Sequence, residues 1–120
     1  MATTGARVES RTLEVGEISR GLKLLSRDLD VAVLGCAQVG RAVESRSDKR
    51  PLLSDLRESG SIEADADAVV LLYRDELHHT DTPDRGVAEA IIAKSRSGPT
   101  GTTRLAFLGR CTRFASLARA

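Results

Sequence analysis

Lys94 and Arg96 are the residues of this sequence whose spacing points most directly to chemistry. They stand two apart at the end of the apolar run from Val87 to Lys94, and alternate residues of an extended segment project to the same side. Two cations aimed one way suit a single anion, and an arginine so placed can reach a phosphate held by a neighbouring molecule. On spacing alone, a solvated basic hairpin is the simpler reading. Gln38 follows the apolar run Val31-Ala32-Val33-Leu34-Gly35, just beyond its carboxyl end. Open parallel sheets bind ligands at that end of a strand, and an amide there can donate to a phosphate or accept from a water. From position alone, a polar cap on the strand end is the simpler reading.

A third group lies between Arg50 and Asp67, where helix-forming residues are interrupted at Ser59-Gly60-Ser61 before the apolar run Ala68 to Tyr73. Gly60 would let another backbone approach closely, and free N–H groups near a helix break can bind phosphate. Arg57 and Glu58 flank that break. The carboxylates Glu58, Glu63, Asp65 and Asp67 read as a solvated acidic face, because no histidine or cysteine joins them, so no metal ligands are assigned. His78 and His79 are adjacent and suit one ion poorly, which leaves them in a solvated loop. Val69 to Asp75 has the form of an apolar strand ending in a magnesium-binding aspartate, a weak signal without a phosphate loop. That loop needs Gly-x-x-x-x-Gly-Lys-Ser/Thr, whose glycine amides cradle the phosphates and whose lysine neutralises them. No glycine in this sequence is followed by lysine, and Gly98-Pro-Thr-Gly101 has the wrong spacing.

The elements that must position these residues follow from periodicity. Residues 1 to 9 are small and polar and predict a disordered tail, with one folded unit over 10–120. Ile18, Leu22, Leu25 and Leu29 fall on one helical face, and Gly16 and Gly21 each cost that helix about 1 kcal/mol relative to alanine. The run Val31 to Gly35 predicts a strand buried on both faces, and Leu52 to Asp67 a broken helical stretch leading into a second buried strand at Ala68 to Tyr73. Residues 74 to 86 read as a mobile loop. Val87 to Lys94 and Thr102 to Leu108 flank Ser97-Gly-Pro-Thr-Gly101 as a hairpin, with a last short strand at Thr112 to Leu117. Helix, short turn, then buried strand is an α/β unit, which predicts a mostly parallel sheet with flanking helices.

Composition narrows the partners. With 120 residues there is room for one core, and with aromatics at 2% that core is built from Val, Ile, Leu and Ala. Few aromatics also weaken a case for base stacking, and a net charge of +1 gives no global pull towards nucleic acid. Any contact with DNA would be made by a local loop. Cys36 and Cys111 have neither metal-ligand nor redox spacing and are expected as reduced, buried or half-buried thiols of a cytoplasmic protein. No stretch approaches membrane-spanning length.

From Glu14 to Leu117 the sequence resembles the carboxyl-terminal part of the motor domain of DnaB-type replicative helicases, a RecA-like P-loop NTPase fold. The stretches that carry the resemblance are Glu14 to Leu25, Ala37-Gln38 with Arg41 to Glu44, Asp48 to Asp67, Leu72 to Asp75, Ile91 to Arg96 with Gly98 to Gly101, Leu105 to Leu108 and Thr112 to Phe114. The stretch Leu52 to Asp67 is the most specific of them. The resemblance implies that Gln38 senses the γ-phosphate, that Lys94 and the arginine finger Arg96 reach the nucleotide of the adjacent subunit, and that Arg57, Glu58 and Gly60 hold the backbone of single-stranded DNA. Such a contact reads phosphates and is indifferent to sequence.

The resemblance further implies ATP and Mg2+ as cofactors, a homo-hexamer, and 5′-to-3′ helicase action driven by ATP hydrolysis. The family's phosphate loop, catalytic glutamate and magnesium-binding aspartate precede the matched region. The chain by itself is therefore expected to be inactive, supplying phosphate sensor, arginine finger and DNA loop to a companion that bears the phosphate loop. The alternative is a noncatalytic protein that binds single-stranded DNA or modulates a full-length helicase ring, or an inactive remnant. Without the central strands of a RecA-like sheet, the strands present here are expected to leave apolar edges open.

Overall fold

In a computed structural model, which describes residues 4–56 and 59–117, a long helix and a short one lie beside a four-stranded sheet. Helix α1 spans Thr4–Leu29 and helix α2 spans Ser59–Asp65. The strands are β1 (Ala68–Tyr73), β2 (Val87–Ser95), β3 (Gly101–Leu108) and β4 (Arg113–Ser116). Helix α1 begins at Thr4 rather than near Ser10, since Ala6, Arg7 and Glu9 are all good helix formers. It ends where Asp30 takes a left-handed φ of 52° and the Val31 amide donates to the Ser26 carbonyl at 3.0 Å. That backward bond satisfies one of the last orphan carbonyls, with aspartate in the place usually given to glycine.

The sheet corrects the expectation of parallel strands. Its order is β1-β2-β3-β4 and all three pairings are antiparallel. Parallel pairing needs a crossover between neighbours, whereas the links here pass straight back along the sheet. The segment 31–35, expected as a doubly buried strand, is extended but unpaired, with Leu34 93% exposed. Its composition favours a strand, yet among the described residues no ladder lies beside it. Further along, Val39 is held by an antiparallel bridge to Leu56.

Strand β1 is half-buried rather than wholly buried. Val69, Leu71 and Tyr73 face inward while Val70 and Leu72 face solvent. A bulge between Val69 and Val70 shifts the register against β2, pairing Val69 with Lys94 and Val70 with Ile92. The core gathers Leu56, Val69 and Leu71, with Leu53, Ile62, Ala66, Ile91 and Ala93 packed against them. Leu71 is 4% exposed, so Leu71→Ala should remove about 2–3 kcal/mol of stability. Urea unfolding monitored by circular dichroism will read this as a lower midpoint, and an unchanged midpoint would contradict this account of the core.

Two polar knots fix the connections. Asp55 is buried and takes both guanidinium N–H groups of Arg46, at 2.8 and 2.6 Å, and the Leu52 amide at 2.6 Å. The Arg46 hydrogen bonds hold its carboxyl below the usual carboxylate range against the opposing effect of burial. The segment that enters positions 57 and 58 is thus anchored by one buried carboxylate.

The second knot replaces the expected mobile loop at 74–86. Asp75 accepts from Tyr73 Oη at 2.6 Å and Thr82 Oγ1 at 2.5 Å, and pairs with His79 Nδ1 at 2.9 Å. His78 stacks on Tyr73 with ring centroids 5.5 Å apart. Gly86, at φ 72°, donates its amide to Glu76, which also pairs with Arg74. The histidines therefore serve the loop's own packing, and the Asp75 carboxylate is occupied by three side chains of the chain itself.

The Asp75 carboxyl is held at about 2, chiefly by the Thr82 hydrogen bond and then by Tyr73. A depressed carboxyl stabilises the fold fully above its ordinary value near 3.8, and that contribution fades as pH falls towards 2. Tyr73 is the single tyrosine in a chain with no tryptophan, so it reports this site cleanly. Its near-ultraviolet dichroism should change between about pH 4 and pH 2, and Asp75→Asn should remove that step. A step retained in Asp75→Asn would assign the transition elsewhere.

Candidate functional site

The carboxyl end of β2 meets the carboxyl end of α2, and there the candidate cations converge. Lys94 donates to the Glu63 carbonyl. Arg96 donates to the Asp67 carboxylate at 2.8 Å and to the Ala64 carbonyl at 3.0 Å, while its amide donates to the Asp67 carbonyl at 2.9 Å. The two side chains project to one side, as their spacing predicts. What they meet here is the open end of a helix, whose last carbonyls have no partner within the helix and favour positive charge.

Asp67 is shared. Its Oδ1 also accepts from Lys23 of α1 at 2.6 Å, and this hydrogen bond is the largest of the effects that lower its carboxyl's pKa. Helix α1 approaches α2 closely at Gly16, where a Cβ would lie 2.9 Å from Ser61 Oγ. Ser19 Oγ is 3.3 Å from the Ser61 carbonyl and 2.7 Å from Asp65. Gly16 therefore permits the helix contact instead of merely loosening α1. None of Gly16, Ser19, Lys23 and Asp67 stood out in the sequence as part of a site. The only available signal was small and polar residues at helical spacing, Gly16, Ser19 and Lys23, on a face beside the apolar one.

Gln38 lies exposed on the extended segment after α1, one residue before the Val39–Leu56 bridge. The Gly40 amide donates to the Asp55 carbonyl at 2.6 Å, so the Gln38 segment runs against the anchored approach to positions 57 and 58. Arg57 and Glu58 lie outside the described residues. Gly60 is exposed near the start of α2, and a Cβ there would meet nothing within 4 Å, so the space beside it is open. Among the described residues no hydrogen bond joins Gln38 to Lys94 or Arg96; the residues that follow Gln38 bond to Leu56 and Asp55, and the cation pair to Glu63, Ala64 and Asp67.

Other sequence expectations resolve differently. Cys36 and Cys111 are both exposed free thiols, not buried ones: Cys36 lies on the extended segment after α1 and Cys111 ends a short 3-10 turn between β3 and β4. Asp65 and Asp67, read as part of a solvated face, are engaged by Ser19 and by Lys23 and Arg96. Arg50, beside the singled-out stretch, forms a bidentate pair with Glu89 of β2 at 3.0 and 2.7 Å and lies 4.7 Å from the Tyr73 ring centroid. Among the described residues no helix is long and apolar enough to cross a membrane.

Comparison with known proteins identifies the family and the fold. Residues 1–116 match the family described as DnaB-like helicase C terminal domain. The replicative DNA helicase DnaB of Pasteurella multocida is 54% identical over 110 residues, which is 92% of this chain and 24% of that protein. The DnaB helicase of Geobacillus stearothermophilus is 51% identical over 116 residues, 97% of this chain and 26% of that protein. Among solved structures, the ATPase domain of G40P superposes with a TM-score of 0.87 at 48% identity, covering 90% of this chain and 38% of that one. A DnaB-like replicative helicase solved in a study of its interactions with primase gives the same score and identity over 26% of its chain. The chain spans about a quarter of the length of the curated relatives it matches. With its α/β fold superposing on these ATPase domains, the chain belongs to the DnaB-like helicase C-terminal domain family.

Proposed function

We propose that this chain works as the carboxyl-terminal portion of an ATP-dependent replicative DNA helicase motor, in the cytoplasm and within a hexameric ring. The observation that carries this reading is the convergence of Lys94 and Arg96 at the end of β2, on a surface where Arg96 stays 46% exposed. Paired cations held at one place and still open to solvent fit the phosphates of a nucleotide bound by an adjacent subunit. Lys94 and Arg96 would hold those phosphates and Gln38 would sense the terminal one. No residue of this chain is assigned to Mg2+. ATP supplies the phosphoryl bond whose hydrolysis drives the motor. The chain's own part is to neutralise charge and to pass that event on to DNA.

Arg57, Glu58 and Gly60 would hold the backbone of single-stranded DNA. The open space beside Gly60 supports this, as does the buried Asp55 anchor that fixes the approach to the loop. Grafting residues 1–117 of this chain into a full-length DnaB relative, in place of the matching segment, tests the reading. The graft should unwind a forked duplex in the presence of ATP. A folded, ring-forming graft with no unwinding would overturn it.

A further inference from the structure

Helix α2 has seven residues, too short to persist without tertiary support. Its support comes from two sides. Ser19 of α1 bonds Asp65 and the Ser61 carbonyl, and Lys94 and Arg96 close its carboxyl end on the Glu63 and Ala64 carbonyls. Asp67, two residues past the helix, draws Arg96 there and is itself tied to α1 by Lys23. The side chains of Arg96 and Asp67 are 46% and 66% exposed, and ion pairs so open to water are weak. A polyphosphate presents several charges within the reach of both cations at once and should displace them.

We propose that Asp67 and the carboxyl end of α2 form a seat that parks Lys94 and Arg96, and that phosphate competes with this seat. Asp67 is then a positioning residue. Leaving the seat uncaps α2, whose other end carries Gly60, so capture of phosphate at one end loosens the segment at the other. By linkage the coupling is reciprocal, and whatever orders α2 makes the cations harder to withdraw. This inference rests on the phosphate-contact role of Lys94 and Arg96 proposed above.

The test uses the 120-residue chain with inorganic tripolyphosphate as the probe, reading amide hydrogen exchange by mass spectrometry and affinity by calorimetry. Tripolyphosphate should speed exchange in a peptide covering 59–66 several-fold and leave β3 unchanged. Asp67→Asn should speed the same exchange without phosphate and bind tripolyphosphate several-fold more tightly, because the competing seat is weakened. A residue that merely supported the fold would not tighten phosphate binding when removed. Arg96→Gln, in which the cation is lost and the carboxylate kept, should also speed α2 exchange. Unchanged α2 exchange in both variants would overturn the seat, and unchanged or weaker tripolyphosphate binding by Asp67→Asn would overturn the competition. Failure of both proteins to bind tripolyphosphate would sink the phosphate role itself, and the seat would still be judged by α2 exchange.

Discussion

Arg96→Ala, placed in the grafted ring described above, should lower DNA-stimulated ATP hydrolysis by about a thousandfold or more, the scale on which an arginine supplied to a phosphoryl-transfer site acts. The 120-residue chain by itself should hydrolyse ATP no faster than background, because its sequence holds no Gly-x-x-x-x-Gly-Lys-Ser/Thr to cradle the phosphates. Lys94→Ala should cost less, since a flexible ammonium neutralises charge without the guanidinium's fixed fork. Loss in kcat with little change in KM would place the effect in the transition state, where charge spreads over the transferring phosphoryl oxygens. Mixing wild-type subunits with Arg96→Ala subunits sharpens the test. A finger acting in trans leaves sites beside wild-type neighbours active, so activity should follow the fraction of such junctions. Robust hydrolysis by the isolated chain that Arg96→Ala left unchanged would remove the role given to this residue.

Much of this arrangement was legible in the sequence because it depends on local pattern. The apolar runs at Ala68 to Tyr73 and Val87 to Lys94 alternate or persist in ways only a sheet accommodates, and both are strands. Lys94 and Arg96 share a side because an extended backbone leaves them no other choice. Strand direction was not legible. Hydrophobic runs say that a strand is buried, while the pairing is set by how the chain travels between strands, and here it doubles back at each link. The segment 31–35 shows the same limit from the other side, since composition specifies extended backbone but cannot supply a neighbour. The Asp75 and Asp55 knots were missed because their partners lie two to nine residues away, at a strand end or in connections, where no periodicity marks them. Lys23 and Asp67 are 44 residues apart, and only the close approach at Gly16 brings them together.

In solution at micromolar concentrations and above the chain should sediment above its monomer mass of 12.8 kDa, because an open apolar strand edge is a template for association. Three features combine to make it so. Among the described residues strand β1 is bonded along β2 only, which leaves its other edge free. Its outward side chains Val70 and Leu72 are 53% and 57% exposed, and the extended segment after α1 exposes Val31, Val33 and Leu34. Ile18, Leu22, Leu25 and Leu29 of α1, read from the sequence as one apolar face, also remain open to solvent. A further strand laid on β1 would satisfy its free backbone groups and cover the outward pair at once, so hydrogen bonding and apolar burial favour the same partner geometry. A helicase segment that pairs with β1 should therefore compete with self-association. Val70→Lys with Leu72→Lys should shift sedimentation towards monomer without lowering the urea midpoint, because both side chains point away from the Leu71 core. A monodisperse monomer that melts cooperatively would count against the open edge. An unchanged distribution in the double lysine variant would move the contact to α1, where Leu22→Lys and Leu25→Lys would then be the substitutions that release it.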